Sequence, residues 1–186
     1  QVIAGLSTAQ VAALTTDQIV ALSAGQTGVL SLAQLKSLST TAVAALDTAD
    51  VAALSTAALF AGLPTAFFAA LSADQAAALT AQQMTALATA SIAALPTQVL
   101  AALSASALNG MSTANFARLQ PAQIQALGTD QIASLNTRQI GALTTAHLAG
   151  GDILTTDQMV ALTTAQVASL SKALLAALGS DDIAAI

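Results

Sequence analysis

Leu14-Thr15-Thr16-Asp17-Gln18-Ile19-Val20-Ala21 is one instance of an eight-residue unit that fills this chain. Leucine opens a repeat at positions 6, 14, 22, 30, 38, 46 and 54. The series resumes at 63 and runs by eights to 143, with Met111 standing in once, and resumes again at 154 to reach 178. Ile186 holds the next opening slot, so 22 repeats and two phase breaks account for almost the whole of the 186 residues. A repeat this short and this complete settles the architecture before any motif is considered: each unit is too small to bury a core alone and must stack on others.

With leucine as position 1, position 2 is Ser, Thr, Asp, Asn, Gly or Pro in nearly every repeat, as at Ser7, Thr15, Asp47, Pro64 and Gly179. Apart from proline these are the helix N-cap residues. Position 5 is Gln in 11 repeats, and Asp50, Asn115 and Asp182 also occupy it. Ser/Thr at position 2 with Gln at position 5 is the capping box, in which the cap hydroxyl accepts from the N3 amide and the N3 side chain reaches back to the cap amide. Asp17, Asp74, Asp130, Asp157 and Asp181 fall at position 4, in a first turn where the helix dipole favours an anion. Pro121 falls at position 3, the N1 slot that tolerates proline. Position 6 is large and apolar in all but two repeats, Thr27 and Ala76 being the exceptions, and position 8 is mostly Ala. The pattern predicts a helix that starts afresh every eight residues.

Two other backbones compete with that reading. One continuous helix would turn about 800° per repeat, letting the leucines drift about 80° each time, and would have to carry three prolines and ten glycines. It is excluded. A β-solenoid would send positions 1 and 6, five apart, to opposite faces, and alanine is a poor strand former; it stays as the alternative architecture. The expected fold is all-α: a single solenoid over residues 1–186, built of very short capped helices, one per repeat. Positions 6 and 1 are three apart, share a helix face, and should form the buried stripe. Small residues at positions 7 and 8 should let neighbouring helices approach closely.

Hydrophobic residues make up 55% of the chain but aromatics only 2%, so the core must be thin. Charged residues are 7%, against roughly 25% in an ordinary soluble domain. The net charge of −5 offers little protection from association. There is no Glu, Cys, Trp or Tyr. Low charge with abundant Thr, Ser and Ala fits an exported bacterial surface or fibre protein. The chain opens at Gln1 without a Met, as a processed chain or a piece of a longer one would. Mean hydropathy of +0.75 raises the membrane question. The most apolar stretch, Ala52 to Leu71, is interrupted by Ser55, Thr56, Pro64 and Thr65 at their usual repeat positions, which is the pattern of a solenoid core and not of a spanning helix.

Both phase breaks carry glycine: one residue is added at Ala61-Gly62, and three around Gly150-Gly151-Asp152-Ile153. Phe60, Phe67 and Phe68 cluster near the first break and read either as local core filling or as a lateral contact patch. Gly150-Gly151-Asp152 is similar to a fragment of the calcium-binding nonapeptides of secreted toxins, but no partner repeat accompanies it. His147 occupies the Gln position and reads as a solvent-facing polar substitution; without a second His or a Cys it is no metal site. One His among many hydroxyl residues makes no catalytic triad, and the nine Asp follow repeat phase or turns. No phosphate loop is present. No catalytic, cofactor-binding or metal-ligating residue is expected, and the chain is not expected to be an enzyme.

The unit L-[ST]-T-x-Q-[IV]-x-A resembles octapeptide-repeat regions of large bacterial secreted and cell-surface proteins of adhesin type. The resemblance covers essentially the whole chain; it implies a stalk, spacer or fibre and no catalytic residue. Residues 14–21 also look like the opening of repeats in transcription-activator-like effectors. Those repeats are longer and depend on basic residues, whereas Lys36, Arg118, Arg138 and Lys172 are the only cations here, against nine Asp. A phosphate-tracking surface needs far more positive charge, so nucleic acid is not an expected partner.

Both ends of the array cut the repeat. Gln1 to Gly5 match positions 4 to 8, and Ile186 opens a repeat that goes no further. Ordinary solenoids carry polar terminal caps, and uncapped ends allow either a longer parent or head-to-tail stacking into an open filament. The expected function is structural, as an extracellular or cell-surface bacterial filament, sheath or stalk. Its expected partner is itself, through end-to-end contacts at Val2, Ile3, Ile183 and Ile186. The alternatives are an adhesin-type binding module, using a surface such as Phe60–Phe68, and an ice-binding surface, because Thr recurs at position 3 in 14 repeats.

Overall fold

A computed structural model describes residues 3–56, 62–148 and 153–186 of the chain. The described residues form 20 α-helices of four to six residues and two 3-10 turns, Ile3–Gly5 and Thr145–Leu148, with no strand among them. The chain is therefore all-α, and the β-solenoid alternative falls.

Each helix begins where the sequence places a cap. Thr15 is extended (φ −74°, ψ 162°) and its hydroxyl accepts from Gln18 N at 3.3 Å, while Thr15 N donates to Gln18 Oε1 at 2.9 Å. The same reciprocal pair closes at Ser7/Gln10, Ser31/Gln34, Ser72/Gln75, Thr80/Gln83, Asn136/Gln139, Thr155/Gln158 and Thr163/Gln166. Asp47 and Asp50 do the same with two carboxylates. Pro64 and Pro96 cap their helices without a side-chain bond. Proline has no N–H for a glutamine to serve, and position 5 of those two repeats is apolar, Phe67 and Val99.

Helices stop at the next leucine or at a small residue just before it, as at Leu38 and Ala13. Leu38 (φ −65°, ψ 135°) and Ser39 (φ −68°, ψ 160°) are both extended and swing the chain into the following helix, with Leu38 N donating to Leu35 O at 3.3 Å. Many helices end through a left-handed glycine; this corner needs none. Among the described residues only Gly62, at the first phase break, has a positive φ, +91°.

A single such helix would not persist in water, because nucleation fixes several residues for one hydrogen bond. Stability comes from winding. Helix Thr8–Ala12 packs on Leu32–Ser37, Ala24–Thr27 on Thr48–Ala53, and Ala81–Ala86 on Ala105–Gly110, each three repeats further on. Side-chain bonds described below span four repeats, so the solenoid completes a turn in between three and four. Positions 1 and 6 point inward and form one cluster running from Ile3 to Leu174, in which Ile19, Leu35, Ile92, Phe116, Ile124, Ile132 and Ile140 are wholly buried. Close approach occurs where small residues sit. A Cβ on Gly28 would meet Ala53 O at 2.8 Å, and one on Gly110 would run into the backbone of Ala81.

Candidate interaction surface

The glutamine at position 5 does more than cap its own helix. It lies buried between successive turns, and its Nε2 donates to the carbonyls that end a helix four repeats earlier. Gln75 Nε2 donates to Val43 O (3.0 Å) and Leu46 O (2.6 Å). Gln83 reaches Val51 O (2.8 Å) and Leu54 O (3.0 Å), Gln139 reaches Leu108 O (2.7 Å) and Met111 O (3.1 Å), and Gln166 reaches Ile132 O (2.8 Å) and Leu135 O (2.7 Å). Gln34, Gln123, Gln131 and Gln158 repeat the contact. In every case the acceptors are position 6 of one repeat and position 1 of the next. Short helices leave orphan N–H groups at one end and orphan C=O groups at the other. One amide side chain satisfies both, its oxygen within its own turn and its nitrogen across to the turn before. Among the described residues, no buried side-chain nitrogen or oxygen lacks a partner.

This ladder corrects one expectation. Glutamines inside the solenoid are not exposed, so the outward polar rows are the cap residues of position 2, such as Ser39, Asp47 and Ser72, and the threonines of position 3, such as Thr16, Thr40 and Thr129. His147 is not solvent-facing either, being 5% exposed. It occupies the glutamine position, where Thr144 N donates to its Nδ1 at 2.9 Å. A backbone N–H can only donate, so Nδ1 takes the acceptor place that a glutamine oxygen holds in other repeats. His147 and Leu119, whose carbonyl a glutamine would reach, line the same shallow hollow.

The ladder has a direction, each amide reaching back to an earlier turn. On the first turn Gln10 and Gln18 are exposed and Gln26 is half-exposed. Their oxygens complete capping boxes, and their Nε2 atoms find no acceptor among the described residues. On the last turn position 5 is covered, as at Gln166 and Asp182, but the next side chain faces outward. Val167, Leu175 and Leu178 are half-buried, while Ile183 is 48% and Ile186 45% exposed. No side chain among the described residues reaches the carbonyls of Val167, Leu170, Leu175 or Leu178.

The other expected contact residues are placed differently. Phe67 and Phe68 are buried in the core and meet edge-to-face, ring centroids 5.9 Å apart at 78°. An apolar side chain at position 5 or 6 is inside because those positions face the adjoining turn and the core, so these two serve as filling and not as a lateral patch. Phe60 and the second phase break at 150–152 lie outside the described residues, as does Val2. Ile3 is buried beneath Gln34, whose Nε2 donates to Ile3 O at 3.2 Å, and is no free contact. Ile183 and Ile186, expected as end contacts, are both exposed.

Among the described residues no three His, Cys, Asp or Glu side chains gather as a metal site would require, and no helix is long and apolar enough to cross a membrane.

Comparison with known proteins points the same way as the geometry. The ALTTAQ repeat model matches residues 1–24 and 116–145. Both segments carry the Leu-to-Gln stretch of the octad, Leu6 to Gln10 with Leu14 to Gln18 in the first, and Leu127 to Gln131 with Leu135 to Gln139 in the second. The similarity supports a repeat family. No curated protein and no solved structure matches the chain.

Proposed function

We propose that this chain is a structural element of the bacterial cell exterior, building a filament, sheath or surface stalk by stacking solenoid turns. The observation that carries the reading is the ladder. Polar groups that a binding protein or enzyme would keep for a ligand are spent here on joining one turn to the next, in the same register, along the array. The remaining outward surface is Thr and Ala with few charges, which does little to keep molecules apart. An adhesin-type module would need a non-repeating patch on one face. Phe67 and Phe68, which would have supplied it, are in the core.

Electron microscopy of the purified chain over a range of concentrations tests the proposal. Turns that stack helix on helix at the usual interaxial spacing give a filament with an axial repeat of about 8–10 Å per turn. Particles of monomer size at every concentration would refute it.

A further inference from the structure

Asn109-Gly110 is the one Asn-Gly pair in the sequence; the other asparagines, Asn115 and Asn136, precede Phe116 and Thr137. Glycine after asparagine has a particular chemistry. With no β-carbon to crowd it, the glycine nitrogen can turn onto the asparagine side-chain carbonyl. The structure shows why each residue of the pair is where it is. A Cβ on Gly110 would run into the backbone of Ala81, so close packing calls for glycine. Gly110 O also accepts from Thr85 Oγ1 at 2.6 Å, which fixes it to the turn before. Asn109 is fixed to the turn after. Its Nδ2 donates to Ala105 O at 3.0 Å in its own helix and to Ser134 O at 2.8 Å, and its Oδ1 accepts from Asn136 N and Nδ2, both at 3.2 Å. Both donors and both acceptor sites of the amide are in use.

We infer that Asn109-Gly110 is a deamidation site which the wound solenoid holds shut, and which reacts when the turns on either side come away. In the reaction the Gly110 nitrogen loses its proton and bonds to Asn109 Cγ. The Cγ–Nδ2 bond breaks, and ammonia leaves with that proton. Water then opens the cyclic imide. Cleavage at Cγ leaves aspartate; cleavage at the Asn109 carbonyl carbon leaves isoaspartate, with the chain running through Cγ. The wound form blocks the first step. A helical backbone directs the Gly110 N–H at the carbonyl four residues back, and the bonds to Ala105, Ser134 and Asn136 hold the side-chain amide away from it. Both must be released before nitrogen and Cγ can meet. Asn109 is exposed, so water for the second step is at hand. Neither product fits back. Aspartate sets a carboxylate oxygen against Ala105 O and Ser134 O where an N–H had been, and isoaspartate lengthens the main chain at a glycine already packed on Ala81. Unwinding at this point of the array is thereby made permanent.

Peptide mass mapping of the full chain tests the inference. The chain is kept in neutral buffer with and without unfolding urea, and the peptides carrying each asparagine are followed for the mass gain of an amide becoming an acid. In urea Asn109 converts while Asn115 and Asn136 stay amides. Without urea Asn109 converts at least about tenfold more slowly, since so slow a reaction follows the small population of opened turns. Thr85→Val, similar in shape but without the bond to Gly110 O, speeds the conversion in the folded chain and not in urea. A separately made Asn109→Asp chain unfolds at a lower urea midpoint by circular dichroism. Equal rates in the two buffers would overturn the protection by winding. An Asn109 that persists in urea would overturn the site itself. An Asn109→Asp chain as stable as the unaltered one would overturn the permanence of the unwinding.

Discussion

Replacing Gln75 by Leu separates a ladder from a row of ordinary caps. Gln75 is 3% exposed, accepts from Ser72 N at 2.7 Å, and donates to Val43 O and Leu46 O. Leucine is similar in size and brings no clash, so the cost is in the groups left behind. Val43 O keeps the bond from Leu46 N at 3.2 Å, but the buried Leu46 O loses its partner where water reaches poorly, and exposed Ser72 loses a capping bond of the ordinary kind. The carbonyl costs about 1–3 kcal/mol and the cap about 0.5–1 kcal/mol, less roughly 1 kcal/mol regained by the apolar side chain. Gln18→Leu is the internal control. Gln18 makes the same capping bond to Thr15 N at 2.9 Å but is exposed and serves no second helix. It should cost about 0.5–1 kcal/mol, because water replaces what is lost. Urea denaturation followed by far-ultraviolet circular dichroism, at concentrations where the chain is monomeric, reads the difference as a shift in midpoint. If the two substitutions shift it equally, the bonds between turns contribute nothing and the account of the ladder is wrong.

Other substitutions follow from the same geometry. His147→Gln should raise stability by about 1 kcal/mol, by restoring donors to Phe116 O and Leu119 O while keeping the bond from Thr144 N; an unchanged or lowered midpoint would argue against the missing rung. Gly110→Ala should cost about 1–3 kcal/mol, because its Cβ meets the Ala81 backbone, whereas Gly25→Ala, with nothing within 4 Å of its Cβ, should gain about 0.5–1 kcal/mol from helix propensity; thermal melts of the pair should move in opposite directions. Burial raises the Asp50 carboxyl above its ordinary 3.8, and the Thr27 hydroxyl, donating at 2.9 Å, only partly offsets this. The folded chain therefore holds that proton more tightly than the unfolded one. Asp50 contributes most below the ordinary value, and that contribution is lost as pH rises through the raised one. Asp50→Asn should accordingly stabilise the chain at neutral pH, with the gain over the unaltered chain shrinking on acidification in parallel denaturation curves.

The fold was legible because its two causes are local. A capping residue at position 2 and an inward stripe at positions 6 and 1 are relations within eight residues, and the repetition of both left little room for another backbone. What lay across each helix was not legible, since periodicity says that repeats stack without saying which repeat meets which. Phe67 and Phe68 show the consequence: their composition fits a surface patch as well as a core, and only the winding decides. His147 was misread for the same reason. Position 5 looks polar and therefore outward until the turn that covers it is in place.

One signal in the sequence did carry the ladder. A capping box accepts glutamate or glutamine at its third helical position, and glutamate has the added favour of the helix dipole. A chain that needed caps alone would be expected to mix the two. This one uses Gln in 11 repeats and has no Glu anywhere. The cap requires only an oxygen, which Asp50 and Asp182 also supply, so the choice of amide over glutamate in those 11 repeats points to a use for its nitrogen, and to an acceptor that the repeat itself does not contain.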